Sequence, residues 1–502
     1  MRAAQGTKRL MMRSTAIIVA TVLTASCASV NQELLEAQLP DTPAAWTANP
    51  DAGAPLTGDW VAAFRDDALY RLIDEALTHN NTFLAAASNL DQARANAKIT
   101  RAGLLPQLSA NFNSARNAIV TDPTTAAQAG SSGGSTSSSL PNTDSHGRLY
   151  INNFSFGGSL RWEIDLWGRL TDETRASYRD AKAAYADLAG SRLSIAGRVA
   201  QAWFALIEAR QQRELSDRDV EARKSNLRVT ERRYERGVSS SLDVRLSRSA
   251  LASSEATLAL RQRLEQEASR ALEVLLGRYP AAELEAAESL PELPALAGAG
   301  APGDILARRP DLIAAEARME AAGLRSRAAR KQMLPQLTLT SQVGTSGPQL
   351  ADLVDPYRLG GNLAGGVLQP LFQGGRLLAN SKRARAAAET SLYNYAQTVL
   401  DAFQEAENAL AAEGLLAVRE EALKLAYEEA AAAEELTERR YANGAATIFN
   451  LLDAQTRRIS AESQYIQAQQ QRVSNRVQLY LAIGGDFLTE ADLATNDTGE
   501  SE

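Results

Sequence analysis

The sequence predicts a mainly α-helical chain with a small β part, built as two tandem copies of one unit. Three observations carry that prediction. The chain aligns with itself, a column of apolar residues recurs every seven positions along a Pro-free segment, and four short segments alternate apolar with polar side chains.

The self-alignment fixes the organisation. NTFLAAA at Asn81 matches PDLIAAE at Pro310, and LPQL at Leu105 matches LPQL at Leu334, both offset by 229 residues. GRL at Gly168 then matches GRL at Gly375, RY at Arg233 matches RY at Arg440, and LLG ending at Gly277 matches AIG ending at Gly484, all offset by 207. The difference gives the first copy 22 extra residues, which fall in the Gly/Ser loop TDPTTAAQAGSSGGSTSSSLPNTDSHG. The predicted segments are a leader (1–26), an N-terminal segment (27–80), a first repeat (81–277), a Pro/Ala/Gly linker (278–309), a second repeat (310–485) and an acidic tail (486–502). The tail has the composition of a disordered segment.

The leader has the parts of a secretory signal: a positive stretch ending at Arg13, the apolar run AIIVATVL, and TASC. The apolar run is too short to span a membrane as a helix. Cys27 is the only cysteine, so it has no partner for a disulfide within the chain. One reading is a spare thiol beside a cleavage site. The other is lipid attachment, because the segment resembles a bacterial lipoprotein signal, with Thr24 where Leu is usual and Leu23 one place further back. Lipid on Cys27 would contribute about 0.8 kcal/mol per buried methylene. By the same resemblance, Ala28 after the cysteine implies sorting to an outer membrane.

Composition narrows the function classes. The first 26 residues hold four cations and no acid, so their removal takes the formal net charge from -7 to -11. So acidic a chain, without a basic stripe, is not built for nucleic acid. No mature segment offers 18 consecutive apolar residues, so no spanning helix is expected. His79 and His146 are the only histidines, and no phosphate loop or metal-ligand spacing occurs. No enzyme activity, metal or cofactor is expected beyond a covalent lipid on Cys27.

Within each copy the pattern reads helix, strand, strand, very long helix, break, helix. In the second copy RRPDL opens the first helix, with Pro310 at the first helical position and Asp311 at the positive end of the dipole. The strand FSFGGSLRWEI puts Phe154, Phe156, Gly158, Leu160, Trp162 and Ile164 on one face. Its counterpart puts Leu359, Leu363 and Val367 on one face and Asn362 on the other, and QLSANFN from Gln107 and QLTLT from Gln336 also alternate. Segments of roughly ten residues suit membrane-crossing strands. Four strands do not close a barrel, and open edges do not face lipid, so a membrane barrel would need several chains. Two ordinary hairpins with one solvated face remain the alternative.

The long helix is predicted from Leu170 to Arg236, with the column Tyr178, Tyr185, Arg192, Val199, Leu206, Arg213, Val220, Leu227 and Tyr234. Sustained sevens mean coiled-coil packing, and 67 residues at about 1.5 Å each reach on the order of 100 Å. Each long helix ends in the same break, RYERGVSSSLDV at Arg233 and RYANGAATIFNL at Arg440. Gly237 and Gly444 fit helix ends that need a left-handed residue.

Together LPQL, WEIDLWGR at Trp162, QPLFQGGR at Gln369 and the paired RYxxG breaks resemble the TolC-like outer-membrane factor family, lipid-anchored efflux branch, from about Asp59 to Gly485. The resemblance implies a homotrimer, with four strands per chain in a twelve-stranded outer-membrane β-barrel and the helices in a long coiled-coil periplasmic tunnel. It implies an outer-membrane, lipid-anchored duct that exports small toxic molecules (drugs, solvents or metal ions) for an inner-membrane transporter through a periplasmic adaptor. The exit duct of a type I protein secretion system shares the fold, and a periplasmic coiled-coil scaffold is the alternative of another class. By resemblance the breaks, with Arg233, Gly237, Arg440 and Gly444, are the periplasmic tip turns that meet the adaptor. Asp453 matches an Asp that faces its symmetry mates at a constriction, where three carboxylates would attract cations. Asp243 matches an acceptor for a Tyr on the neighbouring hairpin, and Tyr441 matches that Tyr. Helix capping is the local alternative for Asp243, and heptad packing for Tyr441. The best-known member has Arg where this chain has Ala446 and a second Asp at Asn450, so a thinner closing network is expected here.

Overall fold

The structure, a computed structural model, describes residues 42–48, 60–120, 148–294, 296 and 299–485. Cys27, Thr24, the Gly/Ser loop with His146, and the acidic tail lie outside the described residues.

In chain order the elements are α1 (Asp67–His79), α2 (Asn81–Ala102), β1 (Gln107–Val120), β2 (Arg148–Ile164), α3 (Arg169–Glu235) and α4 (Ser241–Leu275). There follow α5 (Ile305–Arg308), α6 (Pro310–Lys331), β3 (Gln336–Gly347), β4 (Gly360–Leu368), α7 (Arg376–Ala442) and α8 (Ile448–Ala482). The duplication shows in the lengths: α2 and α6 have 22 residues each, α3 and α7 have 67, and α4 and α8 have 35. No helix among the described residues is long and apolar enough to cross a membrane.

The chain divides into two compact units. The first comprises Met1–Ala93, Asp180–Met319 and Thr390–Glu502. Its core is helical and centred on aromatic rings: Phe64 lies 5.4 Å from Phe204 and 6.1 Å from Tyr480, and Trp60 lies 5.9 Å from Tyr480. Such edge and tilted pairs contribute about 0.5–1.5 kcal/mol each beyond their burial. Asp66 caps α1 by accepting from the N–H groups of Ala68 and Leu69, and it also accepts from Trp203 Nε1 at 2.8 Å. One carboxylate thereby starts a helix and ties it to α3.

The heptad column follows the predicted course only in part. Val199, Leu206 and Val220 are buried, but Tyr234 at the end is half exposed, and Thr230 is buried instead. A helix of 3.6 residues per turn drifts about 20° per heptad, which rotates the seam off the column.

The predicted linker is pinned. Glu273 accepts from the N–H groups of Ala282, Glu283 and Leu284 at 2.8, 2.7 and 3.3 Å. Trp46 Nε1 donates to Gly300 O at 2.8 Å, Arg476 donates to Pro294 O, and Ile305 is buried. RRPDL acts as a structural joint. The Arg309 guanidinium bonds Asp311 at 2.7 Å, Glu405 at 2.8 Å and the carbonyl of Ala482 at 3.1 Å.

The second unit comprises Arg94–Arg179 and Glu320–Glu389. It holds one antiparallel sheet in the order β1-β2-β3-β4. The register aligns Leu108, Leu160, Ser341 and Leu363 across the sheet, with Phe112 beside Phe156 and Leu337 beside both Ile164 and Val367. Because side chains alternate, these residues share one apolar face. On the other face Ser109, Ser159, Gln342 and Asn362 align, and the two serine hydroxyls bond at 2.7 Å. Leu359 precedes β4 rather than lying in it. The strand ends at Leu368, two residues before Pro370, which has no N–H for a ladder.

Candidate functional site: the paired helix turns

Both RYxxG breaks lie in the first unit. At the end of α3, Gly237 N–H donates to Tyr234 O at 2.9 Å, and Val238 N–H reaches back to Arg233 O at 2.8 Å. At the end of α7, Gly444 donates to Tyr441 O at 3.0 Å, and Ala445 to Arg440 O at 2.8 Å. With φ of +74° at Gly237 and +75° at Gly444, each is a Schellman stop whose left-handed residue is glycine. The spacing repeated in the two RYxxG breaks is therefore the spacing of a helix cap.

Each turn restarts a helix through the equivalent pair of side chains. Ser240 Oγ accepts from Asp243 N–H at 3.2 Å, and Asp243 Oδ2 accepts from Ser240 N–H at 2.8 Å, a closed capping box. In the second copy Thr447 caps α8, donating its hydroxyl to Asn450 Oδ1 at 2.7 Å. Asp243 and Asn450 thus occupy one structural position, the third residue of the restarted helix.

The two turns are joined by Tyr441. Its ring is 8% exposed, packed with Ile448 and Leu451, and Leu246, Ala446 and Leu452 cover the cluster. Its hydroxyl pairs with Thr230 Oγ1 at 3.1 Å, and Thr230 also donates to Asn226 O at 2.9 Å. Ser247 on α4 donates to the same Thr230 oxygen at 3.5 Å. Arg233 donates from Nη1 to Tyr441 O at 2.9 Å and sits over the Tyr441 ring, its Cζ 4.8 Å from the centroid. A cation over an aromatic face contributes about 0.5–1 kcal/mol where water has access. The repeat partner of Tyr441 is Tyr234, which is half exposed, so the copies divide the roles.

The pairing that the resemblance implied between Asp243 and Tyr441 is not formed within the chain. Asp243 is engaged in its own capping box, and the Tyr441 hydroxyl is taken by Thr230. Asp453 lies on the exposed side of α8 and bonds Arg457 Nε at 2.8 Å, one helical turn on. Arg440 is exposed. Cys27 is outside the described residues.

Further along the same helices lies a buried ionic layer. Arg458 pairs with Glu434 and, at 2.5 Å, with Glu462, which also bonds Arg218 at 2.6 Å. Arg223 bonds Asp219 at 2.9 Å beside them. Burial pushes the Glu434 carboxyl up from its ordinary value against the pull of Arg458. Thr230, Ser247, Arg457 and this layer were not singled out by sequence. The i,i+4 spacings of Asp453 with Arg457, Arg458 with Glu462 and Asp219 with Arg223 were the readable signals. The described residues hold no group of His, Cys, Asp and Glu arranged for a metal ion.

A model of the family described as outer membrane efflux protein matches residues 72–278 and 301–485. The chain is 30% identical over 488 residues to the pyoverdine export outer membrane protein OpmQ of Pseudomonas aeruginosa, covering 96% of this chain and 98% of the relative. Among solved structures, the outer-membrane channel OprN is 26% identical with a TM-score of 0.78, covering 89% of this chain and 98% of that one. The Campylobacter jejuni CmeC outer membrane channel shares the fold at a TM-score of 0.82 and 22% identity, covering 92% of this chain and 97% of that one.

Proposed function

The chain belongs to the outer membrane efflux protein family, and on that premise we propose that it is the outer-membrane duct of a tripartite export system. The observation that carries the proposal is the sheet. It has one apolar face, one polar face, and two strands, β1 and β4, with a single neighbour each. Bare strand edges in hydrocarbon cost several kcal/mol for each unpaired backbone group, so the sheet is complete only when its edges meet those of other copies. Three chains give twelve strands, with the apolar face toward lipid and the polar face toward water.

The 67-residue helices α3 and α7, each about 100 Å long, would form the periplasmic tunnel, and the turns at Gly237 and Gly444 its tip. A periplasmic adaptor and an inner-membrane transporter complete the assembly, with the transporter supplying the energy. The cargo is a small toxic or secreted molecule. Cys27 carries the lipid, on the strength of the TASC pattern.

The test is made on outer-membrane fractions. Heat-modifiable, trypsin-resistant trimers are expected, together with sensitisation to exported compounds when the chain is deleted. A chain released wholly by removing its lipid would overturn the barrel. Cys27→Ser is expected to abolish radioactive palmitate incorporation, and persistent labelling would place any lipid elsewhere.

A further inference from the structure

The position read as the acidic ring of the constriction does not stand alone in this chain. Asp453 and Arg457 are bonded at 2.8 Å on one exposed helix face, their side chains 48% and 74% accessible. As a stabilising contact the pair is minor, because water and salt screen exposed i,i+4 ion pairs. Its consequence is electrostatic. A bare carboxylate acts as a monopole, whereas a carboxylate with a guanidinium beside it acts as a dipole whose field falls off faster with distance.

The surroundings add positive charge. Arg232, Arg236, Arg245 and Arg440 are exposed at the two turns, and none makes an ion pair with a described residue. Of the nearby acids, Glu231 is paired with Arg248, Glu435 with Arg439, and Asp243 is held in its capping box, while Glu235 and Glu438 are exposed, so the turns keep an excess of arginine. An acidic chain of net charge -7 therefore gathers arginine at its turns.

We propose that Arg457 sets the ion selectivity of the periplasmic constriction by neutralising Asp453, so that this duct does not favour cations as a bare ring of three carboxylates does. The proposal rests on the reading that Asp453 faces its symmetry mates. It makes Arg457 a selectivity residue, and it fits export of anionic or zwitterionic small molecules as readily as cationic ones.

The experiment uses purified full-length trimers in planar bilayers, with potassium chloride at unequal concentrations on the two sides. The readout is the potassium-to-chloride permeability ratio from the reversal potential. Arg457→Gln is expected to raise that ratio. Three unit charges acting over about 10 Å in water favour potassium and disfavour chloride alike, which gives an increase in the ratio of about fivefold with salt screening and about sixtyfold without. Asp453→Asn is expected to lower the ratio, and the double variant to return toward the parent. If Asp453→Asn shifts the ratio and Arg457→Gln does not, the proposal falls while the placement of Asp453 stands. If neither shifts it, that placement falls as well. Retained trimers and helical circular dichroism exclude misfolding, and Arg457→Lys, which keeps the charge, is expected to match the parent.

Discussion

Tyr441 offers the most direct test of how the two turns are held together. Tyr441→Phe removes one hydroxyl and leaves the ring packed on Ile448 and Leu451. Thr230 keeps its bond to Asn226 O, so the loss is one buried hydrogen bond, about 1 kcal/mol. Tyr441→Ala removes the ring as well, and loss of a buried aromatic ring costs about 3–5 kcal/mol. Amide hydrogen exchange at Gly237, Val238, Gly444 and Ala445 reads local opening at these turns. It is expected to accelerate about fivefold in the first variant and more than about a hundredfold in the second. A double-mutant cycle then names the partner. Tyr441→Phe should couple to Thr230→Val by about 1 kcal/mol and to Asp243→Ala by close to zero. Coupling to Asp243 in place of Thr230 would refute the assignment, and would mean that the assembled trimer rearranges the bond.

Other positions give sharper contrasts. Gly237→Ala is expected to cost about 1–2 kcal/mol from backbone strain alone, because a Cβ there meets nothing within 4 Å. Gly277→Ala should cost more in a denaturant titration, because its φ is +77° and a Cβ would lie 2.7 Å from His79 O. Arg458→Ala strips Glu434 and Glu462 of their shared cation and is expected to cost about 3–5 kcal/mol, whereas Glu434→Gln should be tolerated in thermal melts. At Glu273, burial favours the neutral acid, but the N–H groups of Ala282, Glu283 and Leu284 outweigh it and hold the carboxyl below its ordinary 4.5. A depressed folded-state value stabilises the protein above pH 4.5, and that contribution is lost as pH falls through the lower folded value. Glu273→Gln should therefore be less stable than the parent at pH 7, with the gap closing below pH 4.5.

The legible part of this molecule was what repeats locally. The offsets of 229 and 207 residues fall on the starts of α2 and α6 and of α3 and α7, because helix starts and strand alternation are written in short windows. The capping reading of Asp243 was available from Ser240 three residues before it. The contacts that join separate helices were not legible. Nothing in the neighbourhood of Thr230 says that a tyrosine 211 positions away will bond it. Nor does the 278–309 composition announce that Glu273 holds its backbone, since Pro, Ala and Gly read as linker whether or not they are pinned. The resemblance placed Asp243 opposite a tyrosine of a neighbouring hairpin, and within this chain the same carboxylate closes a capping box.

The matched lengths of α3 with α7 and of α4 with α8 make the duct a ruler read off by two counters at once. Deleting seven residues from α3 alone would draw the Gly237 turn back by about 10 Å and part Thr230 from Tyr441. Deleting seven from each of the four helices would keep every turn level and every seam in phase. Changes of reach are thus confined to matched steps in four separate places, and no single deletion can shorten the duct without parting its turns.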